Sequence, residues 1–130
     1  MTTFVTTADA VRALETVVEK AGPDYMYDPS RGCLYFRDDQ PSCGVGRALH
    51  ELGVPTEVLA EMDEVPFATG IKMPRVQELL QKNGFRLTER AVEALVIFQR
   101  YQDGRVPWGQ CLGHVHNWMT GYDPQIFSDD

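Results

Sequence analysis

The stretch Thr88–Met119, TERAVEALVIFQRYQDGRVPWGQCLGHVHNWM, constrains this chain more than any other. Ala91, Val92, Ala94, Leu95, Val96, Ile97, Phe98 and Tyr101 cover most of a helix circumference at about 100° per residue. Only Glu89, Arg90, Glu93 and Arg100 form a polar stripe. A helix apolar nearly all round is normally buried, so this segment is expected to be the central post of the fold. Thr88 is placed to cap its start, because a threonine hydroxyl accepts from an otherwise orphan backbone N–H. Asp103-Gly104 ends it, and Pro107 opens a second helix at a first-turn position. Trp108, Leu112, Val115 and Met119 share one face of that second helix.

The remaining elements follow from caps and periodicity. Thr7 to Ala21 forms an amphipathic helix with Val11, Leu14, Val17 and Val18 inward, capped by Thr6 or Thr7 and ended by Gly22-Pro23. Tyr25-Met26-Tyr27 and Cys33-Leu34-Tyr35-Phe36 flank turn chemistry and predict a small β-hairpin at about 25–36. Asp38 to Pro41 reads as a loop, after which Ser42 caps a helix through Val45, Ala48 and Leu49. Gly53 is its left-handed stop and Val54 the apolar contact that follows. Pro55 and Pro74 open two more helices, the first with Val58, Leu59 and Met62 inward, the second with Val76, Leu79 and Leu80. Residues 121–130 form a tail in which Tyr122, Ile126 and Phe127 favour docking. The expected fold is mainly α: a compact single-domain bundle of about six helices with one small β-hairpin, spanning 1–130, with the helical hairpin 88–119 at its core. A chain of 130 residues is long enough for a real hydrophobic core.

Charge and composition exclude several functions. No run of about 18 apolar residues exists, so no membrane span is expected. The first residues lack a basic region followed by an apolar block, and three cysteines cannot all pair, so reduced thiols in a cytoplasm are expected. A net charge of −7 disfavours direct contact with phosphate backbones. The charge is uneven. Glu51, Glu57, Glu61, Asp63 and Glu64 occupy a stretch without bases. From Lys72 to Arg105 bases outnumber acids, and after Arg105 only acids remain. Such a dipolar surface can steer a charged protein partner.

Three cysteines and three histidines are the candidates for chemistry. Cys43 falls in the first turn of a helix, where exposed N–H groups favour a thiolate. His50 is about 10 Å along that helix, too far to serve as its base, which leaves His114. A cysteine-dependent enzyme using Cys43 and His114 is therefore one alternative. The favoured reading is a small buried cysteine at a close helix contact, which Gly44 and Gly46 permit. Cys111 and His114 are three apart and can face one ion, so a zinc-stabilised domain is the other alternative. His116 points away from His114 on the same helix. Gly44-Val-Gly46 lacks a third glycine and a βαβ setting, and no Walker loop or HExxH is present, so no cofactor is expected. The acid pairs Asp38-Asp39, Asp63-Glu64 and Asp129-Asp130 are adjacent, so their side chains diverge. The leading reading is a non-catalytic protein-interaction module that binds another protein or a second copy of itself. Phe67 and Ile71 are its apolar anchors, and Glu57, Glu61 and Glu64 its acidic contacts.

Two motifs carry a family resemblance. Cys43, Val45, Gly46, Ala48 and Leu49 form a Cys-x-Val-Gly-x-Ala-Leu helix. Gln99, Gln102, Asp103, Gly104, Pro107 and Trp108 lie in the later turn. In this pattern the chain resembles small proteins of actinobacteria and their phages. The resemblance brings no activity or site residue. It implies a cytoplasmic protein, one deployed by a phage inside its host.

Overall fold

A computed structural model describes residues 2–28, 35–37, 40–65, 71–72 and 74–121. In chain order the elements are β1 (Thr3–Val5), α1 (Thr7–Ala21), β2 (Phe36–Arg37), β3 (Gln40–Pro41), α2 (Gly44–Glu51), α3 (Thr56–Asp63), α4 (Pro74–Lys82), β4 (Phe85–Leu87), α5 (Glu89–Asp103) and α6 (Trp108–Thr120). The architecture is mainly α, six helices among the described residues with two small two-stranded sheets. No helix among them is long and apolar enough to cross a membrane.

Local chemistry sets the helix ends. The Thr6 hydroxyl accepts from Asp9 N–H, and the Asp9 carboxylate accepts from Thr6 N–H, both at 3.1 Å, a reciprocal capping box that satisfies two orphan donors of α1. Gly22 ends α1 at φ +96°, a conformation that a side chain would strain. Gly53 at φ +104° terminates α2, and the fully buried Val54 then donates its N–H to the Leu49 carbonyl. Thr88 caps α5 by accepting from Ala91 N–H at 3.0 Å. After α5 the left-handed residue is Arg105, φ +62°, not Gly104, which stays at φ −86°.

The core gathers around α1, α2 and α5, with α6 closing one side. Leu14, Leu49, Leu95, Phe98 and Trp108 are fully buried there. The rings of Phe98 and Trp108 meet edge to face at 5.7 Å, a geometry aromatic quadrupoles favour. α5 is the post, yet it is not enclosed on every side. Val96, Ile97 and Tyr101 are only partly buried, whereas the polar Gln99 and Gln102 face inward.

The hairpin lies elsewhere than at about 25–36. The antiparallel pair joins Phe36 to Pro41 and Arg37 to Gln40, so part of the expected loop is strand. Cys33 and Leu34 lie outside the described residues. The backbone of the extended segment before them is engaged by α6 instead. α6 starts at Pro107 without a side-chain cap. Its first N–H groups donate to earlier carbonyls, Trp108 to Tyr25 and Gly109 to Pro23, each at 2.8 Å. A Cβ on Gly109 would stand 2.8 Å from the Pro23 side chain, so this approach needs glycine. The second sheet was not expected: β1 pairs in parallel with β4, Thr3 opposite Phe85 and Val5 opposite Leu87.

Candidate functional site

The Cys43 region is a packing joint. Cys43, rather than Ser42, is the N-cap of α2, and its buried Sγ accepts from Gly46 N–H at 3.4 Å. Gln102 reaches across from α5, and its Oε1 accepts from Gly44 N–H at 2.8 Å. Two backbone donors at the start of α2 are thereby satisfied in the interior, where an orphan would cost about 1–3 kcal/mol. Both glycines are contact points. A Cβ at Gly44 would lie 2.3 Å from the Phe98 ring, and one at Gly46 would lie 2.2 Å from the Tyr35 carbonyl oxygen. Arg47, one residue on, donates from Nε to the Ser42 carbonyl, and its guanidinium covers the rings of Tyr25 and Trp108 at 5.2 and 4.9 Å.

His114 is not brought to this joint. Its imidazole stacks on Tyr101 with ring centroids 3.7 Å apart and planes within 5° of parallel. Cys111 is turned into the core, where its thiol donates to the Val106 carbonyl at 3.3 Å. Burial pushes that thiol up to about 11, and the nearby Asp103 charge adds to the shift. Cys111 and His114 therefore make separate contacts, and no group of His, Cys, Asp and Glu among the described residues could hold a metal ion. His50 sits exposed at the end of α2 with Nδ1 3.2 Å from the Val54 carbonyl. His116 pairs with Glu15 of α1 at 3.0 Å on the surface.

A thiol near 11 holds fewer than about 1 in 1,000 molecules as thiolate at pH 7. Alkylation of Cys111 in the native protein is expected to be very slow at neutral pH and to rise about tenfold per pH unit up to pH 10. Peptide mass mapping after timed iodoacetamide exposure reads this directly. Reaction at the rate seen in denaturant would contradict the burial.

The expected interaction residues separate. Ile71 is fully buried, not presented to a partner; it belongs to the core, and its carbonyl accepts from Gln77 Nε2 at 3.2 Å. Phe67 lies outside the described residues. Glu57, Glu61 and Glu64 are exposed along α3, opposite its buried Val58, Leu59 and Met62. Glu61 and Glu64 border a shallow groove of about 490 Å³, shared with Arg75, Glu78 and Lys82 of α4. Asp63, on the same helix, ties α3 to β2, since its two carboxylate oxygens accept from Tyr35 and Phe36 N–H, each at 2.9 Å. Burial raises its pKa, while those two hydrogen bonds oppose the rise.

Among the described residues a larger groove, about 640 Å³, runs along one side of α5. Val92, Val96 and Ile97 of α5 and Trp118 of α6 give it apolar walls. Lys72, Arg90 and Arg100 border it together with Glu89 and Glu93. Sequence periodicity had placed Val96 and Ile97 in the core. The available signal was the base excess between Lys72 and Arg105, which contributes three of the five charged residues lining this groove.

Compared with known protein families, with curated proteins and with solved structures, the chain matches none.

Proposed function

We propose that the protein is a non-catalytic interaction module whose α5–α6 groove receives an apolar, acidic segment of a protein partner. The supporting observation is the combination there of partly buried Val96, Ile97 and Trp118 with three bordering bases, in a chain of net charge −7. Apolar side chains that remain partly wet on a helix otherwise sunk in the core gain most from a partner that excludes water, about 25 cal/mol per Å² covered. The exposed acids Glu57, Glu61 and Glu64 on α3 would steer the approach of a partner that also carries bases. The resemblance to proteins of actinobacteria and their phages supplies the setting we propose, a bacterial cytoplasm in which a host protein is the target.

The test is affinity capture from such a cytoplasm, followed by calorimetric titration of the captured protein after its identification and purification. Ile97→Asp places a charge on the apolar wall and is expected to weaken binding at least about tenfold, or 1.4 kcal/mol. Reversing Glu57, Glu61 and Glu64 to lysine is expected to slow association with a smaller loss of affinity. A purified partner that binds the Ile97→Asp protein as tightly as the native one would overturn the reading. Concentration-dependent mass in solution, abolished by Ile97→Asp, would identify a second copy of the chain as the occupant.

A further inference from the structure

We infer that the α5–α6 groove is also the contact through which two copies of this chain cover each other while no other protein is bound. The release of that cover by a partner rests on the function proposed above; the pairing of the copies does not.

The outer stripe of α5 is complementary to itself. Glu93 and Arg100 are exposed and seven residues apart, so they lie on one line about 10 Å long. Among the described residues neither makes an ion pair or a side-chain hydrogen bond. Val96 and Ile97, partly buried, stand on either side of that line. The point midway between Glu93 and Arg100 is also the point midway between Val96 and Ile97. A two-fold axis through that point, at right angles to α5, lays a second α5 antiparallel on the first. Each Glu93 then meets Arg100 of the second copy, and each Val96 meets the second copy's Ile97, so one symmetry operation matches charge to charge and apolar to apolar. A parallel arrangement would set Glu93 on Glu93 and Arg100 on Arg100, and like charges disfavour it. Lys72, Glu89 and Arg90, the other charged residues that line the groove, fall outside the central four and form the rim.

Magnitudes make this a weak, exchangeable pair. A contact centred on four side chains of each copy is small, and small contacts dissociate readily, as a cover must if a partner is to replace it. Each copy carries a net charge of −7. At physiological salt that repulsion is screened beyond about 8 Å, whereas paired side chains in contact keep their attraction. An acidic partner segment competes with Glu93 of the second copy for Arg100, and its apparent affinity is lowered by the fraction of chains that are unpaired.

The experiment is sedimentation velocity on the full chain, from about 10 µM to about 1 mM protein. The native mass is expected to rise towards that of two chains. Glu93→Arg and Arg100→Glu each place two like-charge contacts beside the axis and are expected to raise the dissociation constant at least about tenfold. Both positions are exposed, and circular dichroism checks that each variant stays folded. An equimolar mixture of the two variants is expected to associate again, one of each, because their charges match at both ends of the stripe. Both variants remain acidic overall, so general attraction cannot produce that result. A native chain that stays monomeric at about 1 mM would overturn the inference. Single variants that associate as the native chain does would place the contact elsewhere and overturn it too. So would a mixture that associates no better than its components, which rules out the antiparallel pairing. None of these readings needs a partner, so they stand if no protein is captured; a chain that never pairs leaves the Ile97→Asp binding test intact.

Discussion

Replacing Gly46 with alanine is expected to destabilise the protein by about 3 kcal/mol, measured as a lowered urea midpoint with an unchanged slope. The new Cβ would stand 2.2 Å from the Tyr35 carbonyl oxygen and 2.9 Å from its carbonyl carbon and Cα. These are backbone atoms, and they cannot rotate away as a side-chain tip can. Tyr35 is held in turn by two bonds: its N–H donates to Asp63, and its carbonyl accepts from Ser42 N–H. Relief therefore requires moving α2 or breaking the attachment of β2 to α3. Alanine's better helix propensity, about 1 kcal/mol, offsets only part of that cost. Gly113 is the control. It lies inside α6 with nothing within 4 Å of a built Cβ, so Gly113→Ala is expected to stabilise by about 0.5–1 kcal/mol. A Gly46→Ala protein as stable as the native one would mean that α2 does not sit against β2 as described.

Gln102→Met is expected to cost about 2 kcal/mol although volume and flexibility are nearly kept. Gln102 is fully buried, and its Oε1 is the acceptor for Gly44 N–H. Methionine leaves that donor in the interior with a thioether sulfur, a weak acceptor at best, so the penalty is mainly that of an orphaned buried N–H. Gln102→Glu separates geometry from polarity. A carboxyl there can still accept from Gly44, but its charge would be buried, which raises its pKa above the unfolded value. The folded state then binds the proton more tightly. The variant's deficit relative to the native protein should therefore be small below the unfolded carboxylate pKa and grow as pH rises through the folded one. Denaturation curves of the native and both substituted proteins from pH 4 to 8 check this. A Gln102→Glu deficit that is flat with pH would contradict the burial.

The elements readable in the sequence are those specified by neighbours in the chain. Thr6 and Thr88 cap within three residues, and Gly53, with Val54 after it, terminates a helix within its last turn. The helical periodicity of α1 and α3 places Leu14, Val17, Leu59 and Met62 inward without knowledge of any partner element. What failed to show was set by distant residues. Tyr25-Met26-Tyr27 has strand composition, but its Tyr25 carbonyl, like that of Pro23 before it, is taken by the uncapped start of α6. The β1–β4 pairing joins Thr3–Val5 to Phe85–Leu87, too short at each end for a period to register. Nothing near Gln102 in the sequence signals its bond to Gly44, 58 residues away. For the candidate site, Glu57, Glu61 and Glu64 were legible as exposed acids because the opposite face of α3 is apolar. Val96 and Ile97 were not, since an apolar helix face looks the same whether or not its neighbours fully enclose it. Ile71 was misplaced for the converse reason: loop composition carries no signal of which side chain turns inward.

The attachment of α6 to the segment after α1 has a consequence for the order of assembly. During synthesis β1 and α1 leave the ribosome well before the strand that pairs β1 and two of the helices that bury α1. Until Trp108 and Gly109 are available, the carbonyls of Tyr25 and Pro23 lack their helical donors. Closure is thus deferred until nearly all the described chain is free. Contacts this far apart in sequence slow folding and leave the apolar face of α1 in need of shelter while translation proceeds.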